Sequence, residues 1–362
     1  MDKNKKYNRI KLILSIISSV ISFTVLFLFV FTGLSGELLR VVENYSNNGY
    51  LQFLYYVAIA GLASSILFFP LSYYSSFYIE HKFELSNQTF FAWMKENLKS
   101  AAVGAVIGVP ILLIFYFVIT TYQNFWWLPF ATAMFFFSVI LAQLVPVVIL
   151  PLFYKVTPLE NEELISRIKS LAKVAKLRVE NVYIFDMSKN TKKANAAFTG
   201  LGKTKRIILG DTLLEEYTED EIETVIAHEM GHYAKKHIVK NLVFGTISSF
   251  FTLWLIAELY RMSLPWFGFE NLTDIDAFPL LSLWAMIIGI VQTPLSNYLS
   301  RKYEYEADSY AIAITGKKEA FVSTLNKLTD QNLGDREPHP LVEWYSYSHP
   351  SIKKRVAYIE SL

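Results

Sequence analysis

Two histidines in the middle of the chain have a spacing at which both side chains can bind one metal ion. They belong to the motif His228-Glu229-Met230-Gly231-His232. Residues four apart lie on the same face of an α-helix, so both imidazoles can reach one ion. Glu229 is next along the helix and can take a proton from a water molecule that the ion activates. The motif therefore predicts a zinc site that uses water as a nucleophile.

The residues before this motif predict the helix that carries it. Thr218-Glu219-Asp220-Glu221 has the pattern of a capping box, in which threonine and the last glutamate satisfy free N–H groups at a helix start. The chain has only six histidines, and two of them stand four apart behind this signal. An accidental match to the motif is the alternative, and both observations favour the metal site over it.

A catalytic zinc ion needs a third protein ligand and one open position for water. The chain has no cysteine, so this ligand must be a histidine or a carboxylate. His237 is the nearest candidate, but five residues after His232 it is expected to face another side of the same helix. The spacing that would place a third histidine after a glycine is missing, and His81 belongs to a different loop. A carboxylate is therefore expected to supply the third ligand.

Carboxylates at the required spacing follow the last apolar stretch. Glu304 and Asp308 are four apart and share a face if the helix continues there. One carboxylate can bind the metal while the other accepts the free N–H of a ligating histidine. Glu306 points the opposite way and is expected to be solvated. The alternative is a charged collar at a membrane exit, but the preceding motif favours ligands His228, His232 and Glu304, with Asp308 behind them.

Composition predicts that much of the chain lies in a membrane. Of its 362 residues, 53% are hydrophobic and only 18% are charged, whereas a soluble domain has roughly 25% charged residues. The net charge of +2 and the lack of a recognition motif argue against nucleic acid, and no nucleotide is expected. Six apolar stretches have about the 20 residues that a spanning helix needs, so the lipid bilayer is an expected partner. They are Ile10–Leu34, Leu51–Tyr74, Ala101–Thr121, Phe125–Leu150, Ile238–Tyr260 and Phe278–Ser300.

Lysine and arginine predict the orientation of these stretches, because basic residues favour the cytoplasmic side. The segment before the first stretch is rich in them, whereas the loops expected outside hold only Arg40 and Arg261. Both termini and the long polar stretches 155–237 and 301–362 are therefore expected in the cytoplasm. The basic residues of the first segment are Lys3, Lys5, Lys6, Arg9 and Lys11. The outside loops are Gly36–Gly49, Tyr122–Asn124 and Arg261–Ala277.

The two polar stretches look like halves of one small α+β domain that a pair of spans interrupts. Thr157-Pro158 is typical of a helix start, and short strands are expected at Val182–Phe185, Ala194–Thr199 and Arg206–Leu209. The predicted fold class is mainly α, a multi-pass bundle of about six transmembrane spans with a cytoplasmic α+β domain. Its divisions are 1–155 with four spans, 156–237 with the zinc helix, 238–300 with two spans and 301–362 with the third ligand.

The paired histidines, followed on a later helix by Glu-x-x-x-Asp, resemble the motifs of integral-membrane metalloproteases typified by type I CAAX prenyl protease. The resemblance runs from about residue 50 to the end of the chain through an ordered set of motifs. These are Tyr78-Ile79-Glu80-His81-Lys82-Phe83, Asn87-Gln88-Thr89, the stretch Leu150 to Leu159, Asn195-Ala196-Ala197-Phe198, Arg206-Ile207-Ile208-Leu209, Asp211-Thr212-Leu213-Leu214, and Ser348-His349-Pro350-Ser351 followed by Arg355.

The resemblance implies a zinc metalloendopeptidase of the gluzincin type, with one Zn²⁺ per chain and spans that enclose a water-filled chamber. It implies that His349, with Arg355 nearby, stabilises the negative charge that develops on the scissile carbonyl. It also implies that Asn195, on an edge strand, binds the substrate backbone. From the residues alone, His349 before Pro350 indicates a surface turn, and Asn195 a turn or strand-edge amide. The implied substrates are prenylated or membrane-associated peptides and proteins.

Departures from the family pattern bear on source and location. Eukaryotic members have an additional N-terminal span and a long insertion before the zinc helix, and neither is found in this sequence. The last four residues carry no ER retrieval signal. We therefore expect a prokaryotic relative in the cytoplasmic membrane, whereas a eukaryotic one would lie in the ER membrane.

Two other functions stay open from the sequence. A quality-control protease similar to the HtpX-like heat-shock membrane proteases would have the same site residues and differ in its substrates. A transporter or scaffold with a structural zinc ion is the third interpretation. It is disfavoured because Glu258, the clearest carboxylate of a span, is near a membrane end, and because a structural zinc ion would not need Glu229.

Overall fold

The computed structural model describes residues 2–175, 182–199 and 206–362 and is dominated by helices. Within these residues, six helices are long and apolar enough to cross a membrane. Each contains one of the predicted apolar stretches, apart from a few terminal residues, so the prediction of six spans is confirmed. The helices extend further because polar residues continue them at their ends. They cover Lys3–Phe31, Gly49–Lys82, Phe90–Phe125, Trp127–Phe153, His237–Phe267 and Ile275–Thr315.

The N-terminal part of the chain forms four of these long helices. Two of them contain π-helical stretches, at Tyr73–Tyr78 and at Val145–Ile149, which includes Pro146. Proline lacks a backbone donor, and a wider turn accommodates that loss inside a helix. The helices are α1 (Lys3–Phe31), α2 (Leu34–Glu43), α3 (Gly49–Ser72), α4 (Ile79–Lys82), α5 (Phe90–Tyr122), α6 (Trp127–Leu144) and α7 (Leu150–Phe153).

Part of the first predicted loop is helical. Gly33 has a left-handed backbone (φ +77°) and separates the first span from α2. Ser35 is buried at the start of α2 and hydrogen-bonds with the Tyr56 hydroxyl of α3 and with the carbonyl oxygen of Asp276. These contacts join the start of α2 to α3 and to the predicted loop Arg261–Ala277 at one end of the bundle.

The rest of the chain combines a small sheet, short helices and the last two spans. The three predicted strands are present, and their ends differ from the prediction by two residues or fewer. The elements are β1 (Val156–Pro158), α8 (Glu162–Val174), β2 (Val182–Phe185), β3 (Ala196–Thr199), β4 (Arg206–Gly210), α9 (Asp211–Glu216), α10 (Glu219–Ala234), α11 (His237–Ser263), α12 (Pro279–Thr315), α13 (Lys318–Gln331), α14 (Pro340–Ser346) and α15 (Ile352–Ser361).

The four strands form one sheet in the order β1-β2-β4-β3, with β2 and β4 parallel and the outer strands antiparallel to their neighbours. The prediction of a helix start at Thr157-Pro158 was wrong, because these residues belong to β1 and pair with β2. An edge strand accepts proline, since one side of it needs no backbone donor. The helix begins at Glu162, where the Asn161 side chain accepts a hydrogen bond from Leu164 N (2.9 Å).

One hydrophobic core joins the polar stretches on either side of the last two spans. The elements α8, β4 and α10 supply Ile168, Leu209 and Ile226, while α13 and α15 supply Phe321 and Ile359. All five residues are almost completely buried. The two stretches therefore pack as one structural unit, although α11 and α12 separate them in the sequence.

The N-terminal end of α1 lies against this unit. Asn8 Nδ2 donates a hydrogen bond to Leu333 O (2.6 Å). Glu80, near the end of the second span, accepts a hydrogen bond from the Tyr7 hydroxyl (2.7 Å) and pairs with Lys193 (3.0 Å). The start of the chain and the unit that carries the paired histidines are thus at the same end of the bundle.

Candidate metal centre

The helix that carries the paired histidines begins at a complete capping box. Thr218 Oγ1 accepts a hydrogen bond from Glu221 N (3.3 Å), and Glu221 Oε2 accepts one from Thr218 N (2.9 Å). Burial alone would raise the pKa of the Glu221 carboxyl, but hydrogen bonds from Lys327, Ser323 and Thr218 outweigh burial and lower it. The predicted start of α10 is therefore confirmed, and its capping carboxylate also fixes the helix to α13.

A glycine sets how closely α10 approaches α12. A Cβ atom on Gly231 would lie 3.0 Å from Ala307 Cα, 3.1 Å from the Ala307 carbonyl oxygen and 3.2 Å from Tyr310 Cβ. A side chain here would press against backbone, which cannot yield without moving a helix. Gly231 thus lets α12 lie close enough for Glu304 to reach both histidines.

Three side chains converge between α10 and α12. The Nε2 atoms of His228 and His232 are 3.2 Å apart. They lie 3.4 Å and 3.3 Å from the two carboxylate oxygens of Glu304. Zinc bonds of about 2.0–2.1 Å in a tetrahedron hold the ligand atoms about 3.3 Å from one another. The structure therefore brings the three predicted ligands together at the separations that a four-coordinate metal requires.

The buried charges around these ligands favour a bound cation. Two carboxylates, Glu304 and Asp308, are buried beside one buried guanidinium, Arg355, and Glu304 Oε2 accepts no hydrogen bond from the described residues. Burial alone would lower the pKa of His228, but hydrogen bonds to Asp308 and Glu304 outweigh burial and raise it to about 9. Two imidazole nitrogens and a carboxylate that face one another at these distances are the donor set of a catalytic zinc site, so the residues present fit a metal ion.

Asp308 and Arg355 support the ligands from behind. Asp308 Oδ1 is 2.9 Å from His228 Nδ1, which is the carboxylate–histidine contact that the sequence predicted. Arg355 donates two hydrogen bonds to Asp308, from Nε to Oδ2 (2.9 Å) and from Nη2 to Oδ1 (2.6 Å). Its Nη1 atom is 3.2 Å from Glu304 Oε2. Only 8% of the Arg355 side chain is exposed, so this guanidinium mainly holds the two carboxylates of α12 in place.

His349 approaches the ligands from a more open side. Its Nε2 atom is 3.4 Å from Glu304 Oε1, while 61% of its side chain is exposed. Ser348 Oγ lies 2.9 Å from the other ring nitrogen, Nδ1. Glu229 is half-buried and directly follows His228 on α10. Glu229, His349 and Arg355, the three residues with a predicted role in the reaction, are therefore next to the ligand cluster.

Asn195 is exposed and directly precedes β3 rather than lying within it. Its carbonyl oxygen accepts a hydrogen bond from Gly210 N (2.9 Å), which fixes it against β4. The strand that follows is at the edge of the sheet and packs against α10. The structure thus brings the predicted edge strand alongside the helix of the paired histidines.

The sequence-based interpretation of His237 and Glu306 was wrong. His237 does not continue the helix of His232, because α10 ends at Ala234 and Lys236 has a left-handed backbone (φ 58°). It begins α11, and its Nδ1 atom is 3.0 Å from His232 Nδ1. Glu306 Oε2 is 2.9 Å from His237 Nε2, so Glu306 is a partnered carboxylate and not a solvated one. No signal in the sequence placed this pair, since a lysine does not mark a left-handed turn.

Comparisons with known proteins agree with this architecture. The model of peptidase family M48 matches residues 158–362, and the model described as CAAX prenyl protease N-terminal, five membrane helices, matches residues 1–155. In the described part of residues 1–155 we find four of the candidate spans. The crystal structure of Ste24p from S. mikatae superposes with a TM-score of 0.90 at 28% identity, covering 99% of this chain and 90% of that one.

Two relatives from other organisms are similar along most of their length. The uncharacterized metalloprotease YhfN of Bacillus subtilis is 32% identical over 98% of this chain and 84% of its own. CAAX prenyl protease 1 of Saccharomyces cerevisiae is 34% identical over 85% of this chain and 72% of its own. With both halves matched and the ligand cluster between α10 and α12, this chain belongs to the CAAX prenyl protease family of membrane metalloproteases, within peptidase family M48.

Proposed function

We propose that this chain is a zinc-dependent endopeptidase that cleaves prenylated or membrane-associated peptides and proteins. The observation that carries the proposal is the convergence of His228, His232 and Glu304 at the separations of a tetrahedral site. Two imidazoles and one carboxylate are the protein ligands of catalytic zinc sites that keep a fourth position for water. The three ligands hold one zinc ion, and the sequence has no cysteine that could form a thiolate zinc site elsewhere, so we expect one zinc ion per chain.

The chain's own side chains supply the proton transfers. When bound, zinc lowers the pKa of a coordinated water to about 7 and polarises a carbonyl. Glu229 takes the proton of the attacking water and passes it to the leaving amine. His349, exposed beside Glu304, donates a hydrogen bond to the carbonyl oxygen as its negative charge develops. Arg355 is bound to Asp308, so we assign it to holding the ligands rather than to the substrate.

Substrate backbone is proposed to align along β3. This strand is at the edge of the sheet, so one side of it has backbone groups that β4 does not use. A peptide in extended form can add to such an edge by main-chain hydrogen bonds. Asn195 is exposed at the start of β3 and can bind the peptide with its side-chain amide.

The substrate class rests on two observations. The relative from S. cerevisiae is named CAAX prenyl protease 1, and we extend that class of substrate to this chain. An apolar cavity of about 960 Å³ lies among α1, α3, α5 and α12, with Phe29, Val57 and Phe115 in its wall. Apolar side chains bind hydrocarbon, so this cavity supports a substrate that carries a lipid.

The metal centre and both termini are proposed to face the cytoplasm. The few basic residues of the far-side loops support this orientation. The contact between α1 and the unit that holds the metal site supports placing the N-terminus and the metal centre on the same side. We accordingly divide the chain into membrane segments 1–155 and 238–300 and protease segments 156–237 and 301–362. For a prokaryotic source, the location is the cytoplasmic membrane.

Cleavage of defined substrates tests the function. Purified protein is incubated with a prenylated peptide, the same peptide without the lipid, and a library of membrane proteins, and mass spectrometry locates the cuts. We expect cleavage of the prenylated peptide, a much slower reaction without the lipid, and loss of both on chelation. Cuts confined to the library would favour the quality-control function, and zinc-loaded protein that cuts nothing would overturn the proposal.

A further inference from the structure

We propose that His237 and Glu306 form a hydrogen-bonded chain that orients His232 for the metal. This inference rests on the proposed metal site and adds two positioning residues to it. His232 Nδ1, His237 Nδ1, His237 Nε2 and Glu306 Oε2 follow one another with hydrogen-bond distances of 3.0 Å and 2.9 Å. This hydrogen-bonded chain begins at Nδ1, on the side of the His232 ring that faces away from Glu304.

The carboxylate sets the direction of both hydrogen bonds. Glu306 can only accept, so His237 Nε2 must carry a proton and donate it. A neutral His237 then has a bare Nδ1 atom, which accepts from His232 Nδ1–H. His232 therefore keeps its remaining lone pair on Nε2, the atom that is 3.3 Å from Glu304 Oε1. Without a fixed acceptor for its Nδ1–H, His232 could carry its proton on Nε2 instead, and that tautomer cannot bind a metal through Nε2.

The surroundings hold His237 in this position. Only 1% of the residue is exposed, and its ring stacks on Tyr303 with centroids 4.2 Å apart and planes 13° from parallel. Lys240 Nζ is 3.4 Å from Glu306 Oε2 and holds that carboxylate in place. A buried imidazole with both nitrogens bonded has little freedom to rotate, so its orientation is transmitted to His232.

Both metal-binding imidazoles are thereby fixed by carboxylates of the same helix. Asp308 contacts His228 Nδ1 directly (2.9 Å), whereas Glu306 acts on His232 through His237. The three acidic residues that follow the last span on α12 thus have separate tasks. Glu304 binds the metal, and the other two each orient one histidine.

Zinc affinity tests the proposal, because a role in packing alone would leave it unchanged. His237→Phe keeps the ring and its stacking on Tyr303 but removes both nitrogens. Glu306→Ala removes the terminal acceptor, and Glu319→Ala removes an exposed carboxylate of α13 as the matched control. Affinity is measured in full-length protein by competition with a chromophoric zinc chelator, and unfolding temperature is measured on the metal-free protein.

We expect the zinc dissociation constant to rise about 10- to 100-fold in His237→Phe and in Glu306→Ala, with Glu319→Ala unchanged. The double variant should bind zinc no more weakly than His237→Phe, because both substitutions break the same hydrogen-bonded chain. His237→Gln should recover part of the affinity, since its amide can accept from His232. Affinities of both single variants within twofold of wild type, or effects that add in the double variant, would overturn the proposal. Wild-type protein that binds no zinc would instead overturn the proposed function.

Discussion

Glu229 and Glu304 are both carboxylates of one site, but the structure gives them different surroundings. Glu304 is buried, and its oxygens face both histidines and Arg355. Glu229 is half-buried and takes no part in the ligand cluster. A ligand holds the metal whether or not turnover occurs, whereas a proton carrier matters only during turnover, so the two roles separate experimentally.

Glu229→Gln is expected to stop turnover and keep the metal. The amide is nearly the same size but cannot take a proton, and general-base catalysis contributes about 10²- to 10⁴-fold in rate. Peptidase assays together with metal analysis of the purified variant check this. Loss of zinc from the variant, or a rate near that of wild type, would show that Glu229 has another role.

Glu304→Ala and Asp308→Ala are expected to fail in different ways. Removing Glu304 deletes a ligand, so zinc content should fall from one equivalent to well below it, together with activity. Removing Asp308 leaves His228 Nδ1 and Arg355 without their partner, and zinc affinity should fall about 10- to 100-fold. Metal analysis and chelator competition measure both. Full zinc content in Glu304→Ala would mean that another side chain is the third ligand.

Local spacing explains which site residues could be predicted from the sequence. His228, Glu229 and His232 are on one helix, and Glu304 and Asp308 are four apart on another, so their relation depends only on helical geometry. The contact of His237 with His232 depends on a left-handed backbone at Lys236, which non-glycine residues adopt uncommonly. No residue pattern marks that turn, so the chain from Glu306 to His232 could not be predicted.

At the scale of the elements, the crossing of α10 and α12 determines the geometry of the site. The helices touch at Gly231, where no space exists for a side chain. The paired-histidine motif leaves this position unspecified, although a glycine there indicates a close approach of another helix. Long-range packing of this kind depends on the partner helix, which a single helix sequence does not identify.

Gly231→Ala is expected to weaken zinc binding and lower the unfolding temperature. The added methyl group would meet Ala307 backbone at about the 3.0 Å separation of the ideal Cβ position, and overpacking of this kind costs about 1–3 kcal/mol. Gly245→Ala on α11 is the matched control, because a Cβ atom there meets nothing within 4 Å. Thermal unfolding and chelator competition compare the two, and equal behaviour would show that the crossing tolerates a side chain.

Strong patterns predicted the long elements better than the short ones. The six spans follow from runs of apolar residues, and the capped start of α10 follows from Thr218 and Glu221. β1 was missed because Thr157-Pro158 suits both a helix start and an edge strand. Only the pairing with β2 decides between them, and that pairing involves residues distant in the sequence.

At the scale of the whole molecule, α1 joins the start of the chain to the structural unit formed by the polar stretches 155–237 and 301–362. Asn8 reaches Leu333, and Tyr7 and Lys193 both contact Glu80. These contacts place the N-terminal end of α1 and the metal centre at one end of the bundle. Any assignment of the N-terminus to one side of the membrane therefore assigns the metal centre as well.

Reporters at the two ends of the chain test this arrangement. Two reporters are fused in turn after Leu362. We expect a fluorescent protein that folds only in the cytoplasm to be active there, and an enzyme that is active only after export to be inactive. A fusion before Asp2 should behave identically, because both ends lie with the metal centre. Opposite results at the two ends would contradict the six-span topology, and export of both would reverse the proposed orientation.

The residues that bind or orient the metal are also part of the membrane bundle. Glu304 and Glu306 continue the span in α12, and His237 begins the span in α11. A span whose apolar length differs from the thickness of the surrounding bilayer adjusts by tilting. Because Gly231 leaves no gap between α10 and α12, a tilt of α12 would change the distance from Glu304 to both histidines.

The lipid environment is therefore expected to regulate the protease mechanically. In vesicles of phosphatidylcholines with increasing acyl-chain length, activity and zinc affinity should pass through a maximum together, at the thickness that leaves α12 untilted. Cleavage of a short soluble peptide by reconstituted protein measures the effect without any change in how the substrate meets the membrane. A constant zinc affinity across the series would mean that the metal centre is insulated from the bilayer, despite sharing two helices with it.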